Sequence, residues 1–169
     1  MKKVFCLLPA LCLLCSLLSG CGDALPQTAV SADDLLAAVE ASQEALPPAR
    51  LLRADALTPD FLGRLYAAEE GLPAAASRLG DCRIRLSDAL CGCEIHILRG
   101  SYAEDAQPLL RLAERRLELL QTRELHLFLG EEYETYVASG RTYVKDGWVF
   151  LLLVPDPAAA IEAIEEVLR

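Results

Sequence analysis

The sequence has little positive charge beyond its first twenty residues. Lys145 is the only lysine apart from Lys2 and Lys3, and 25 acidic residues face 16 basic ones. Residues 1–20 hold two lysines and no acids, so without them the net charge moves from −9 by two units to −11. Binding to phosphate backbones needs clustered Lys and Arg. We therefore predict that nucleic acid is not a partner of this protein.

Motifs of common catalytic and cofactor sites are also missing. The chain has no glycine-rich phosphate loop, no paired-histidine zinc motif and no nucleophile elbow. His96 next to Asp81 across a hairpin would suit a general base oriented by a carboxylate, but no nucleophile accompanies it. An exposed cross-strand pair is the favoured interpretation. We predict no enzymatic activity and no catalytic residues.

The seven cysteines do not form a disulfide framework. Three lie in the first twenty residues, and after Cys21 only Cys82, Cys91 and Cys93 remain, an odd number. Cys91 and Cys93 with His96 would suit zinc or copper, but strand alternation places His96 on the opposite face. Buried thiols are favoured over a metal site or a Cys82–Cys93 disulfide. We predict no metal and no cofactor.

The N-terminus has the layout of a secretory signal. Lys2 and Lys3 precede an apolar run over 4–18, which would span about 22 Å as a helix, short of the roughly 30 Å hydrocarbon core. The run ends at Leu18-Ser19-Gly20-Cys21, which resembles the signal of bacterial lipoproteins. The resemblance implies cleavage before Cys21 and a diacylglycerol on its thiol. It predicts a lipid-anchored protein on the extracytoplasmic face of the cell membrane.

These features divide the chain into three parts. Residues 1–20 are the predicted signal peptide, and residues 21–31 are the lipidated cysteine with a flexible tether that reaches about 17 Å. Residues 32–169 form a single domain, a length sufficient for a hydrophobic core.

Capping residues mark the starts of the predicted helices. Ser31 with Asp34 forms a capping box before a helix over 32–46, and Thr58 with Pro59 begins a shorter helix. Asp105 precedes a long amphipathic helix to about residue 122. A short helix over 131–137 and a final helix after Asp156 follow.

Two hairpins separate these helices. Alternating residues over 82–97 predict a hairpin with a two-residue loop, which places Arg83 opposite Glu94 and Asp81 opposite His96. Asp146-Gly147 predicts a tight turn between a strand over 140–145 and the strand Trp148–Val154. We predict an α/β (α+β) fold: two N-terminal helices, then two ββα units that form a four-stranded, mainly antiparallel sheet with both long helices on one face.

The last predicted strand carries the feature most suggestive of an interaction. Trp148 to Val154 is apolar on both faces, which predicts a central position in the sheet. Tyr143, Trp148 and Phe150 share the side away from the long helices. Either the N-terminal helices cover this side, or it is an exposed aromatic interaction surface.

A family resemblance covers residues 58–168 together with the signal. It depends on the order and spacing of five short motifs: Leu65-Tyr66, Glu94-Ile95, Asp105-Ala106, Lys145-Asp146-Gly147-Trp148-Val149-Phe150 and Asp156. The chain resembles a family of small lipoproteins of Gram-positive, Firmicutes-type bacteria that share a domain of unknown function. The resemblance implies no activity and no site residues.

Two functions remain open at this point. We expect an accessory or protein-interaction module of the cell envelope. Its lipid would hold it to the bilayer, and its partner would be an envelope protein. The alternative is a small-molecule or metal-binding lipoprotein that serves an envelope transporter. A closed apolar pocket with convergent polar groups would favour the ligand, and a flat exposed patch would favour the partner protein.

Overall fold

The computed structural model describes residues 23–26, 29–68 and 71–169. The predicted signal peptide and Cys21 lie outside these ranges. Within them, no helix has both the length and the apolar character needed to cross a bilayer.

The described part of the chain contains five α-helices and five strands. In chain order the elements are α1 (Ala32–Ala41), β1 (Ala49–Arg53), α2 (Pro59–Leu65), β2 (Arg83–Ser87), β3 (Glu94–Arg99), α3 (Ala106–Leu120), α4 (Arg123–Leu129), β4 (Arg141–Lys145), β5 (Trp148–Leu153) and α5 (Pro157–Val167). Short 3-10 turns cover Ala54–Ala56, Ala74–Arg78 and Ala103–Asp105, and a π-helical turn covers Tyr133–Val137.

Most of the predicted helix starts are confirmed. The Ser31–Asp34 capping box opens α1, and the Thr58 hydroxyl accepts the backbone N–H of Phe61 at the start of α2. Asp156 caps α5 in the same way. Asp105 differs, because its buried carboxylate accepts the Tyr102 N–H and the Arg78 guanidinium instead of capping α3.

The sheet has five strands instead of the four predicted. All pairs are antiparallel, in the order β1-β2-β3-β5-β4, which confirms the central position of β5. The additional strand β1 has the sequence Ala-Arg-Leu-Leu-Arg and follows Pro47-Pro48. It is short and has no alternating pattern, so its pairing with β2 decides its conformation.

The long helices of the two predicted ββα units lie on opposite faces of the sheet, not on one face. Helix α3 packs on the face that carries Ile84, Leu98 and Leu151, here called the α3 face. Helices α1 and α5 pack together on the other face, here called the α1–α5 face. Both faces of the sheet are therefore covered, and the domain has three layers.

The aromatic side of the last hairpin is covered by these helices. Trp148 and Phe150 are fully buried in the core cluster formed with α1 and α5. Tyr143 is half-buried, and its hydroxyl donates to Glu165 Oε1 at 2.7 Å. Trp148 and Phe150 are therefore not exposed: of the two alternatives, a covering N-terminal helix is the one observed, and α5 packs here as well instead of beside α3.

The register of the first hairpin also differs from the prediction. Arg83 pairs with Ile97 and Leu86 with Glu94, a shift of three residues from the predicted pairing. The connection over 88–93 is longer than two residues and includes Gly92 at φ 78°. An odd shift exchanges the faces of a strand. Glu94 and His96 therefore point into the core on the α3 face, and His96 does not lie opposite Asp81.

Helices α1 and α5 are joined by a pair of hydrogen bonds near the start of α5. The Gln43 amide donates to the Asp156 carbonyl and accepts the Asp156 N–H, both at 2.9 Å. On the same face Arg83 donates to the Asp33 carboxylate and Arg85 to Glu40, so β2 is bound to α1 by two ion pairs.

Part of the predicted tether pairs with the domain. Ala24 forms an antiparallel bridge with Tyr102, with bonds from Leu25 N to Ser101 O (3.0 Å) and from Ala103 N to Asp23 O (3.1 Å). The Arg99 guanidinium donates to the Pro26 carbonyl at 2.8 Å. Residues 23–26 thus lie along 99–103.

We predict that Trp148→Ala lowers the free energy of unfolding by about 3–5 kcal/mol, because it leaves a large cavity between the sheet and helices α1 and α5. Urea denaturation measures the change. Val144→Ala, on the partly exposed edge strand β4, is the matched control and should stay within about 0.5 kcal/mol of the parent. A small loss for Trp148→Ala would contradict the burial described here.

Candidate functional site

Four polar side chains from three helical or strand elements meet under α3. Glu94 and His96 occupy alternate positions of β3 and so share one face. Tyr66 lies at the C-terminal cap of α2, and Arg116 extends from α3 across the sheet. Tyr66 and His96 are completely buried, and Glu94 is nearly so.

The four side chains form a continuous hydrogen-bonded chain. The Tyr66 hydroxyl lies 2.7 Å from His96 Nδ1, and His96 Nε2 lies 3.1 Å from Glu94 Oε2. The Arg116 guanidinium donates to both Glu94 oxygens, at 2.5 and 3.0 Å, and to the Leu65 carbonyl at 3.1 Å. An ionised carboxylate only accepts, so His96 carries its proton on Nε2 and accepts the Tyr66 O–H at Nδ1.

The environment fixes the charge of each group. Burial lowers the pKa of His96, so the imidazole is neutral at pH 7. Burial alone would raise the pKa of Glu94, but the hydrogen bonds from His96 and Arg116 outweigh it and bring that pKa well below its usual range. Burial also raises the pKa of Tyr66. One anion and one cation remain, and they neutralise each other.

A pocket of about 290 Å³ adjoins this network at the end of the sheet where β3 begins. Glu94 and Arg116 form its polar wall, and Arg50 of β1 lies at its margin. The rest of the lining is largely apolar, with Leu86, Leu120, Leu125 and Leu129. His96 and Tyr66 are not in the lining, so they support the polar wall from behind.

Two exposed apolar side chains stand at the mouth of this pocket. Leu90, in the β2–β3 turn, is 79% exposed and Phe128, in α4, is 66% exposed. We call Leu90 and Phe128 the rim. Leu127, next to Phe128, is also exposed. Apolar side chains of this size in water beside a cavity are typical of binding surfaces.

The arrangement suits recognition better than proton transfer. Both nitrogens of His96 are hydrogen-bonded to protein side chains, and neither His96 nor Tyr66 lines the pocket, so neither contacts a molecule that enters it. The Arg116 donors are similarly engaged with Glu94 and Leu65. The network holds α2, α3 and β3 in fixed positions around the polar wall of the pocket.

The three cysteines of the domain are buried free thiols. Burial raises the pKa of Cys82 to about 11 and that of Cys93 to about 12. Cys91 Sγ lies 3.2 Å from the Ser87 hydroxyl. Among the described residues, no group of three or more His, Cys, Asp or Glu side chains is placed to hold a metal ion.

Several residues of this site were not identified from the sequence. Arg116 interrupts the apolar stripe of α3 between Ala113 and Leu117, and a cation within a buried stripe could have indicated a buried partner. Tyr66 carried no such signal, because nothing local indicates that it lies beside β3. The rim residues Leu90 and Phe128 follow from tertiary packing alone.

We predict that the unfolding free energy falls as pH decreases from about 6.5 to 5, by at most about 1.4 kcal/mol per pH unit. The unfolded chain binds a proton at His96 below about pH 6.5, whereas the folded chain, with its lowered histidine pKa, binds it only at a lower pH.

His96→Gln should remove this part of the pH dependence, since glutamine cannot titrate. His126→Gln is the control, because His126 is the only other histidine and lies partly exposed beside Glu134. Urea denaturation across this pH range measures both. If the His96 variant kept the full slope, the neutral buried state of His96 would be wrong.

The comparisons with known proteins leave the family resemblance as a prediction. No protein-family model, curated protein or solved structure matches this chain.

Proposed function

We propose that this protein is a lipid-anchored lipoprotein on the extracytoplasmic face of the membrane, and that its domain acts as a protein-interaction module of the cell envelope. The partner binds at the pocket bounded by Leu90 and Phe128. The signal-like sequence ending at Cys21 supports the anchor, and the exposed apolar rim supports the interaction.

The rim is the observation that carries this proposal. Phe128 and Leu90 come from different elements, α4 and the β2–β3 turn, and both line the same pocket. Neither is covered by another described part of the chain, although helices cover both faces of the sheet. A partner that inserts one apolar side chain between them would bury both. Burial of apolar surface contributes about 25 cal/mol per Å².

A small-molecule ligand is the second candidate, and the polar wall favours it. Arg116, Glu94 and Arg50 all line a pocket that is otherwise largely apolar, a combination suited to an amphipathic ligand. However, ligand pockets usually enclose about 300–1,000 Å³, so this one is at the lower limit. One large side chain fits this space better than a metabolite of ordinary size.

The anchor is tested by Cys21→Ser. We expect the parent to incorporate labelled fatty acid and to sediment with membranes, and the variant to do neither, because stable attachment requires acyl chains. Cys82→Ala, which changes a buried thiol of the domain, is the matched control and should retain the label. Labelling of the Cys21 variant would contradict the anchor.

The interaction is tested by site-specific photo-crosslinking in intact cells. A photoreactive residue at position 90 should yield a discrete adduct with one protein, and the same residue at Val144, on the edge strand β4 away from the pocket, should not. Phe128→Ala should weaken the adduct at position 90 while the unfolding free energy changes by less than about 0.5 kcal/mol. Equal adducts at both positions would contradict the proposed surface.

A further inference from the structure

We propose that the domain rests on the bilayer with one defined end, formed by the segment 99–104 and the Asp146-Gly147 turn, here called the anchor end. The pocket and its rim then face away from the membrane. This inference rests on the lipid anchor proposed above and goes beyond it, because a flexible tether would leave the domain free to rotate.

Only a short length of chain separates the predicted lipid from the paired segment 23–26. Cys21 precedes Asp23 by two residues, which span at most about 7 Å even when fully extended. Asp23 is already paired through its carbonyl with Ala103. The chain that connects the predicted lipid to the pairing partner of Ala103 is therefore short.

Several contacts hold the segment 23–26 against the domain. Besides the backbone bonds between 23–25 and 101–103, the Arg99 guanidinium donates to the Pro26 carbonyl. Leu25 packs against the β4–β5 turn, where a side chain on Gly147 would come within 3.0 Å of Leu25 Cδ1. Gly147 also has φ 80°, a conformation that favours glycine, and a side chain there would crowd Leu25.

The anchor end carries side chains that are suited to a membrane interface. Tyr102 is half-buried, and the Arg78 guanidinium lies over its ring at 5.1 Å. Lys145 is exposed beside the turn. Tyrosine and the long stems of Lys and Arg are suited to the membrane interface. Asp23, Glu104 and Asp146 lie at the same end, so the charge there is mixed. The lipid, not electrostatic attraction, holds this contact, and a neutral bilayer is sufficient.

The pocket and the anchor end lie at opposite ends of the sheet. Strand β3 runs from Glu94, at the pocket, to Arg99, at the anchor end, over about 17 Å. The β2–β3 turn that carries Leu90 and the β4–β5 turn that contacts Leu25 lie at opposite ends of the sheet. A bilayer at the anchor end therefore leaves Leu90 and Phe128 in the aqueous phase.

The test is depth-dependent fluorescence quenching of the full lipidated chain in phosphatidylcholine vesicles. A dye is attached at Lys145→Cys or, as the matched control, at Leu90→Cys, because both positions are exposed and adjoin hairpin turns at opposite ends. The native thiols Cys82, Cys91 and Cys93 are buried, so the introduced cysteine is the accessible one. A nitroxide-labelled lipid is the quencher.

We expect several-fold stronger quenching at position 145 than at position 90. Equal quenching, or stronger quenching at position 90, overturns the proposed orientation. Flotation with the vesicles is measured first on the same samples. Failure to float contradicts the lipid anchor, whereas flotation without the difference in quenching contradicts the orientation alone.

A variant with ten Gly and Ser residues inserted between Gly22 and Asp23 tests the role of the short connection. It keeps the lipid and the pairing of 23–26 but separates them by about 17 Å. The difference between positions 145 and 90 should disappear while flotation persists. A difference that survives the insertion contradicts the role assigned to the paired segment.

Discussion

The structure depends on the burial of β3 on both faces. All six of its residues are buried, and three of them, Glu94, His96 and Arg99, carry polar side chains. A polar group in an apolar interior costs free energy unless it has a partner. The partners come from separate parts of the chain: α2 and α3 for the first two, and residue 26 for Arg99. One strand thereby determines the positions of three other segments.

The same requirement shapes the pocket. Its polar wall consists of two charges that already satisfy each other, so a molecule that enters meets no free charge on Glu94 or Arg116. The apolar rim has no such internal partner among the described residues, since Leu90 and Phe128 are exposed to water. Affinity at this site would therefore come mainly from apolar burial, while the ion pair and His96 keep the wall rigid.

Local chemistry allowed much of the fold to be predicted, because the decisive contacts lie within a few residues. The caps at Ser31, Thr58 and Asp156 start helices where the side-chain acceptors predicted them. The Asp146-Gly147 turn has the positive φ angles, 49° and 80°, that its sequence requires. In each case one backbone N–H or one dihedral angle decides the local structure, and no distant residue is needed.

The predictions were wrong where a segment that is distant in sequence determines the local structure. Strand β1 is a strand only because β2 provides its hydrogen bonds. Glu94 and His96 alternate with isoleucines and so resemble a solvent-exposed face, but in the core Tyr66 hydrogen-bonds His96 and Arg116 neutralises Glu94. The candidate site consists largely of such long-range contacts. For the same reason the pocket and its rim could not be predicted, and α5 was predicted on the same face as α3 instead of over the aromatic side chains.

The pairing of α1 with α5 has a consequence for the order of assembly. These are the first and the last of the described helices, and Gln43 of the α1 C-terminal region binds the backbone of Asp156. The core around Trp148 cannot close until residues 156–167 are available, whichever parts form earlier. A chain that emerges N-terminus first from a ribosome or a membrane channel therefore keeps α1 without its partner helix through most of its emergence. Contacts between residues that are far apart in sequence slow folding. A chain that folds late remains unfolded for longer and can pass through a narrow channel during that time.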